Sequence, residues 1–125
     1  MRTPHPTLTP QELAIMKVVW RLRDATVRDV HAALQSSRPV AYTTVMTMMR
    51  ILEEKGYLKK NAGERAHVYR PAKPRHQVVG AMVRDFIDRV FDGASEALLV
   101  QLAKDNRLTD KQRRIVKRLL EESEE

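Results

Sequence analysis

The chain has 125 residues, with 23 Lys and Arg against 16 Asp and Glu and a formal net charge of +7 at pH 7. Charged residues interrupt every apolar stretch, so none reaches the length of about 20 residues that a membrane-spanning helix needs. The first residues lack the apolar segment of a secretory signal. Because the sequence contains no cysteine, it excludes a disulfide framework, a thiolate nucleophile and a cysteine-containing zinc site. These features favour a soluble cytoplasmic protein.

The excess positive charge lies in the first part of the chain. Residues 1–72 contain 12 Lys and Arg against 6 Asp and Glu, whereas residues 73–125 contain 11 against 10. A localised basic surface attracts nucleic acid, because each cation docked on a phosphate releases condensed counterions. An ordinary basic protein would show the same charge, so the prediction of a nucleic-acid partner depends on the elements that carry it.

Two short helices are predicted first, each behind a capping sequence. Thr9 and Glu12 form a capping box that opens the first helix, which ends near Arg23. Thr26 opens the second helix in the same way, and this helix ends before Pro39. Both segments carry apolar residues at helical spacing, which predicts one buried face on each.

A third helix is predicted from about Ala41 to Lys55, followed by Gly56, a favourable residue at a helix end. Its helical wheel separates a face to be buried from an outward face that has no carboxylate before Glu53. The buried face comprises Val45, Met48, Met49 and Leu52. The outward face comprises Thr43, Met46, Thr47 and Arg50, with Thr44 on its flank.

This outward face fits a helix whose N-terminal half enters the major groove of DNA. Threonine methyl groups can contact a thymine methyl, and Arg50 can bind guanine O6 and N7 or a phosphate. An ordinary solvent-exposed face is the alternative. The residues that we expect to contact DNA are Tyr42, Thr43, Thr44, Met46, Thr47 and Arg50 from the helix and Arg65 from the segment that follows.

A β-hairpin is predicted after the third helix, because residues 57–60 and 66–70 alternate apolar and polar side chains around a short connection. Basic side chains along both strands favour contact with DNA, although edge strands also carry them to prevent aggregation. Arg65, near the turn, can reach a phosphate or a narrow minor groove. Three helices and then a two-stranded ribbon are the order of a winged helix-turn-helix domain, which we assign to residues 1–72.

Residues 73–125 are predicted to be helical. A long helix ends at Gly93, Ser95 caps a short helix, and a capping box at Thr109 opens the last one. The long helix has two adjacent apolar rows, a face wider than one small neighbour can cover, and a segment of about 50 residues seldom builds a sufficient core alone.

This helical segment either packs on the winged helix or pairs with a second copy. We favour a dimerisation domain at 73–125, because a symmetric dimer binds two DNA half-sites. The residues expected at the dimer interface are Val79, Val83, Phe86, Val90, Leu98, Leu102, Ile115 and Leu119.

Motifs of enzymes are absent from the sequence: it has no glycine-rich phosphate loop, no G-x-S-x-G elbow and no H-E-x-x-H. We therefore predict that the chain is not an enzyme and that it uses neither metal nor cofactor. The helices and strands predicted above make it a mainly α protein with a small β-hairpin. A winged-helix module that binds protein instead of DNA is the second hypothesis, and a small enzyme of nucleotide metabolism is the third.

The order and spacing of several short motifs resemble the BlaI/MecI family of penicillinase repressors, bacterial winged-helix regulators that include copper-responsive members. The likeness extends from Leu8 to Leu120. Its motifs are Leu8-Thr9-x-x-Glu12 with Met16 and Trp20, Thr26 to Val30 with Leu34, Ala41 to Thr47 with Leu52 and Lys55-Gly56, Tyr69-x-Pro71, Phe91-Asp92-Gly93 and Leu108-Thr109.

The resemblance implies a dimeric repressor whose third helix reads inverted-repeat operators and whose C-terminal helices pair. In the best-known members, a membrane-bound β-lactam sensor triggers cleavage that separates the dimer and frees the promoter. The matching bond here joins Gln101 to Leu102, where those members have Asn-Phe. Val40 stands where the family commonly has Trp, and Ile51 where an Arg is frequent. The cysteine pairs of the copper-responsive branch are missing, so the inducing signal stays open.

Overall fold

The computed structural model describes residues 8–61 and 67–123. In chain order, this part contains helices α1 (Pro10–Leu22), α2 (Val27–Leu34) and α3 (Tyr42–Glu54), strands β1 (Leu58–Asn61) and β2 (Val68–Pro71), and helices α4 (Arg75–Phe91), α5 (Ser95–Ala103) and α6 (Asp110–Ser123). The predicted fold class, mainly α with one small hairpin, is confirmed. Within the two described stretches, no helix combines the length and the apolar character needed to cross a membrane.

The chain divides into two compact units, Met1–Ala81 and Met82–Glu125. The division lies inside α4, whereas the sequence predicts a boundary between residues 72 and 73. The continuous helix explains why no break in composition marks the division. The assignment of 1–72 to DNA binding and 73–125 to dimerisation stays a prediction.

Reciprocal hydrogen bonds close the N-terminal ends of α1 and α2, as the capping sequences predict. At α1, the backbone N–H of Thr9 donates to Oε1 of Glu12 at 2.8 Å, and the N–H of Glu12 donates to Oγ1 of Thr9 at 3.1 Å. At α2, the N–H of Thr26 donates to Oδ2 of Asp29 at 3.0 Å, and the N–H of Asp29 donates to Oγ1 of Thr26 at 3.1 Å. These bonds satisfy N–H groups that the first helical turn leaves without partners.

The core of the first unit is built from the apolar faces of α1, α2 and α3. Its largest fully buried side chains are Ile15, Met16, Val19, Val30, Val45, Met49 and Leu52. The predicted inner face of α3 is therefore confirmed at three positions, while Met48 is half-buried. Burial of this face leaves the opposite face of α3 at the surface.

A partly buried ion pair joins the C-terminal end of α3 to the N-terminal end of α1. Nζ of Lys55 donates to Oε2 of Glu12 at 2.8 Å, and the Glu12 side chain is only 5% exposed, against 38% for Lys55. Burial alone would raise the pKa of Glu12, but the hydrogen bonds from Lys55 and Thr9 outweigh it, so that this pKa lies below its ordinary value. The carboxylate therefore stays ionised and holds the end of α3.

Strands β1 and β2 pair antiparallel, with Leu58 opposite Pro71 and Lys60 opposite Tyr69. A β-bridge adds Ala25, two residues before α2, to this ribbon, because the N–H of Ala25 donates to the Tyr69 carbonyl at 3.0 Å and the N–H of Tyr69 donates to the Ala25 carbonyl at 2.8 Å. The bridge sets the N-terminal end of α2 beside β2. Each strand begins one or two residues later than the alternation of side chains predicts.

Helices α5 and α6 pack together in the second unit, and one arginine connects them. Nη1 of Arg113 donates to the Ala103 carbonyl at 2.7 Å, and its Nη2 donates to the Asp105 carbonyl at 2.9 Å. These carbonyls lie at and just beyond the C-terminal end of α5, where a helix leaves acceptors without internal partners. Arg113, a residue of α6, therefore caps the C-terminal end of α5.

The two predicted helix starts in the second unit have different outcomes. The capping box of Thr109 and Gln112 is confirmed by hydrogen bonds of 2.8 and 3.1 Å. The prediction that Ser95 caps α5 is wrong, because Ala94 is the N-cap and no side chain accepts a hydrogen bond there. Ser95 is already the first helical residue, one position too late for its hydroxyl to cap. Gly93, at φ +84°, follows the end of α4 as predicted.

Candidate nucleic-acid interface

The outward face of α3 is exposed along its first two and a half turns. Tyr42 and Met46 are 45% and 40% exposed; Thr43, Thr47 and Arg50 are also exposed, and Thr44 is half-buried at the edge of the face. Between Tyr42 and Arg50 this face carries hydroxyl, methyl and thioether groups and one cation. The chemistry of this face suits contact with base edges and with phosphates. An acidic surface would repel the phosphates.

Contacts from α2 position the N-terminal end of α3. Nε2 of Gln35 donates to the carbonyls of His31 and Val40, at 3.3 and 3.2 Å, and so fixes the connection between the two helices. The His31 ring meets the Tyr42 ring edge-on, with 5.4 Å between centroids. Tyr42 therefore has a neighbour that restricts its orientation at the start of the exposed face.

A groove of about 800 Å³ lies between the N-terminal end of α2, α3 and the two strands. The described residues that line it are Thr26, Val27, Arg28, Tyr42, Met46, Arg50, Lys60, His67 and Tyr69. Three of them, Arg28, Arg50 and Lys60, are positively charged, and a fourth, His67, is a histidine. Among the described lining residues there is no carboxylate; the nearest ion pair joins Nζ of Lys60 to Oε1 of Glu53 at 4.0 Å.

Tyr69 is 5% exposed at this groove. Burial raises the pKa of its phenol, the Glu53 carboxylate raises it further, and the Arg50 guanidinium opposes them without reversing the shift. The phenol is therefore neutral at physiological pH, and it adds no negative charge to the groove.

The structure brings together six of the seven residues predicted to contact DNA, all on α3. Arg65, the seventh, lies outside the described residues. The prediction omitted Arg28, whose proximity to the strands depends on the long-range bridge between Ala25 and Tyr69. The capping box in the sequence predicts that Arg28 lies in the first turn of α2, but it does not indicate that the strands lie beside this turn.

Most residues predicted for dimerisation carry exposed apolar side chains. The most exposed of them are Val83 at 44%, Phe86 at 42%, Val90 at 53%, Ile115 at 50% and Leu119 at 44%. Val79, Leu98 and Leu102 are half-buried. Val100, which the prediction omitted, is 42% exposed. Exposed apolar side chains in this number are typical of a surface that binds another protein surface.

The residues of the expected cleavage site lie within α5. Gln101 is exposed and Leu102 is half-buried. Since a protease binds its substrate in an extended conformation, cleavage at this bond requires local unwinding of α5.

Three helices, a bridged hairpin and an exposed face of α3 that carries no carboxylate from Tyr42 to Arg50 define a winged helix-turn-helix regulator of transcription. A family model described as penicillinase repressor matches residues 8–122. The chain therefore belongs to the penicillinase repressor family, whose members are DNA-binding transcriptional repressors, and the resemblance noted in the sequence is confirmed.

Individual relatives agree with this membership. The transcriptional regulator BlaI of Mycobacterium tuberculosis is 37% identical over 95 residues, which are 74% of this chain and 69% of the relative. The penicillinase repressor of Bacillus licheniformis is 23% identical over 117 residues, 94% of this chain and 91% of the relative. The solution structure of the DNA-binding domain of the repressor BlaI matches with a TM-score of 0.52 and 27% identity, covering 59% of this chain and 90% of that one.

Proposed function

We propose that the chain is a dimeric transcriptional repressor that covers an inverted-repeat operator and blocks transcription until a signal releases it. The observation that carries this proposal is the exposed face of α3, which presents no carboxylate from Tyr42 to Arg50. The relatives named as a transcriptional regulator and as a penicillinase repressor support it. A repressor of this kind acts in the cytoplasm, where chromosomal DNA is accessible.

Base contacts are assigned to the N-terminal part of α3. Thr43, Met46 and Thr47 are short or flexible enough to let the helix backbone approach base edges, and their methyl groups suit thymine. Arg50 lies one turn further along and also lines the groove beside the strands, which favours a phosphate contact over a guanine contact. Arg65 is assigned to a phosphate or to the minor groove on its sequence position alone.

Dimerisation is assigned to the exposed apolar residues of α4 and α6. Two copies joined there would present two third helices to successive turns of one operator, and binding of the first would raise the effective concentration of the second. Separation of the copies then releases the operator without any change in α3. A membrane sensor acting through cleavage between Gln101 and Leu102 is one route to this separation.

The experiment selects binding sites for the full-length chain from a random duplex pool and then measures affinity by fluorescence anisotropy. We expect selected sites to be inverted repeats, with affinity that falls by several powers of ten per tenfold rise in salt. A flat salt response, or equal affinity for scrambled sites, would contradict the proposal. If the chain were instead a protein-binding module, it would bind no duplex at any salt concentration.

Single substitutions separate base contacts from phosphate contacts. Thr47→Ala should weaken binding to the selected site about fivefold by loss of one methyl contact and leave binding to random duplex unchanged. Arg50→Gln should weaken both and reduce the salt dependence by about one counterion. Lys17→Gln, an equal loss of charge on the exposed side of α1, is the matched control and should change neither.

A further inference from the structure

We propose that the groove between α2, α3 and the strands, here called the anion groove, binds a small organic anion with an apolar or aromatic body. The anion groove is defined by the nine lining residues given above and has a volume of about 800 Å³. We further infer that an occupied groove excludes operator DNA, a consequence that rests on the proposed repressor function.

The charge of the groove selects an anion. Arg28 of α2, Arg50 of α3, Lys60 of β1 and His67 before β2 converge from four segments of the chain. Glu53 pairs with Lys60 from outside the groove, so the arginines carry most of its uncompensated charge. An arginine fork binds a carboxylate or sulfonate through two parallel hydrogen bonds, which is stronger than contact with a point charge.

The remaining lining selects a ligand with an apolar body. Val27 and Met46 are aliphatic, and Tyr42 and Tyr69 add two aromatic rings. A phosphate of the DNA backbone would use the cations and leave Val27 and Tyr69 without a partner. Small-molecule sites combine a mostly apolar lining with a few polar groups and have volumes of about 300–1,000 Å³, a range that includes this groove.

The groove overlaps the surface assigned to DNA. Tyr42, Met46 and Arg50 line the groove and also belong to the outward face of α3. A ligand in contact with these residues occupies space that the duplex needs, so ligand and operator compete. Such competition would release the operator while the dimer stays intact and the peptide chain uncut.

The first test titrates the uniformly ¹⁵N-labelled full chain with 1-naphthoate at ionic strength held constant with KCl. We expect saturable binding of one naphthoate per chain, with the largest shifts at the groove residues. Two probes that each lack one half of the ligand, acetate and the neutral 1-naphthalenemethanol, should bind at least about tenfold more weakly. Shifts elsewhere on the chain, or no saturation, would overturn the proposal.

Matched variants assign the binding to the groove. Arg28→Gln removes an exposed cation of the groove and should weaken naphthoate about tenfold. Lys17→Gln removes an equal charge from α1, away from the groove, and should leave naphthoate binding unchanged. An equal effect of the two substitutions would show general charge attraction and would overturn the proposal.

Competition with the selected operator distinguishes this inference from the repressor function. Naphthoate should displace operator in proportion to its occupancy of the groove, whereas inorganic phosphate at the same ionic strength should not. If phosphate binds and displaces as well as naphthoate, the groove is a backbone-phosphate site and the inference fails while the repressor function stands. If the chain binds no operator even without naphthoate, the repressor function fails, and the NMR titration still decides on the groove.

Discussion

Glu12 shows how a single side chain can have a role that its local sequence does not reveal. As the third residue of α1 it completes the capping box with Thr9, and this role follows from the sequence spacing. Its other oxygen accepts from Lys55, 43 positions further along the chain. That contact depends on where α3 ends relative to α1, so only the tertiary structure shows it.

Glu12→Gln should lower the free energy of unfolding by about 1–2 kcal/mol at neutral pH, because it removes the charge of a hydrogen-bonded pair whose lysine is partly screened by water. Chemical denaturation of the wild type and the variant measures the difference. Glu54→Gln neutralises an exposed carboxylate at the same end of α3 and should change stability much less.

The same pair predicts a dependence of stability on pH. The pKa of Glu12 is lower in the folded chain than its ordinary value of 4.5, so the unfolded chain takes up a proton first as the pH falls. The stabilisation by Glu12 is therefore complete above pH 4.5 and disappears as the pH falls through the folded-state pKa. The difference between wild type and Glu12→Gln should shrink over that window; a constant difference down to about pH 3 would contradict this assignment.

Helix boundaries followed from sequence wherever a local signal determines them. The boxes at Thr9, Thr26 and Thr109 and the ends near Gly56 and Gly93 depend on side chains within a few residues of the helix terminus. The prediction at Ser95 is wrong because the sequence does not distinguish a serine at the first helical position from a serine at the N-cap. Only the backbone angles of Ala94 distinguish them.

The anion groove could not be predicted in the same way. Its residues come from α2, α3 and the strands, and the bridge between Ala25 and Tyr69 that brings them together joins positions 44 residues apart. No periodicity or short motif reports such a contact. The exposed face of α3, in contrast, was predicted correctly. In a single amphipathic helix, the positions of the buried residues determine which residues lie on the exposed face.

Arg113→Met should loosen the packing of α5 on α6, since it removes two hydrogen bonds to the carbonyls at the end of α5. Each bond from a charged donor contributes roughly 1–2 kcal/mol where it is partly buried. Hydrogen exchange of the α5 amides should accelerate accordingly, about tenfold or more. Arg114→Met changes the adjacent, exposed residue; equal exchange rates in the two variants would refute the role of Arg113.

At the scale of the whole molecule, charge and exposed apolar surface are unequally distributed along the chain. Of the ten exposed large apolar side chains among the described residues, six lie beyond residue 81 and four, Leu22, Tyr42, Met46 and Ile51, lie before it. The excess of basic residues lies within residues 1–72, whereas the exposed apolar side chains of Phe86, Val90 and Ile115 lie beyond it. This distribution is the one expected if, as proposed, the first part of the chain binds DNA and the second part self-associates. It predicts that salt acts mainly on the first activity and apolar substitution mainly on the second.

Phe86→Asp should convert a dimer into monomers at micromolar concentration, because it places a charge in an interface that must exclude water. Sedimentation equilibrium measures this change. Affinity for the full operator should fall at least about a hundredfold through loss of avidity, while affinity for one half-site stays the same.

Leu22→Asp is the matched control for this substitution, since Leu22 is 41% exposed on α1 and Phe86 is 42% exposed on α4. The Leu22 variant should remain dimeric. A wild-type chain that is monomeric at micromolar concentration, or a Phe86→Asp chain that still dimerises, would exclude this interface.

The two faces of α3 have an evolutionary consequence. Val45, Met49 and Leu52 are fully buried, and Thr43 and Thr47 on the other side are exposed, so these five residues divide between the two faces. A duplicated gene could therefore diverge at the exposed positions, acquire a different target sequence and control a different set of genes while its product folds as before. Regulatory networks can expand by such rewiring without passing through unfolded intermediates.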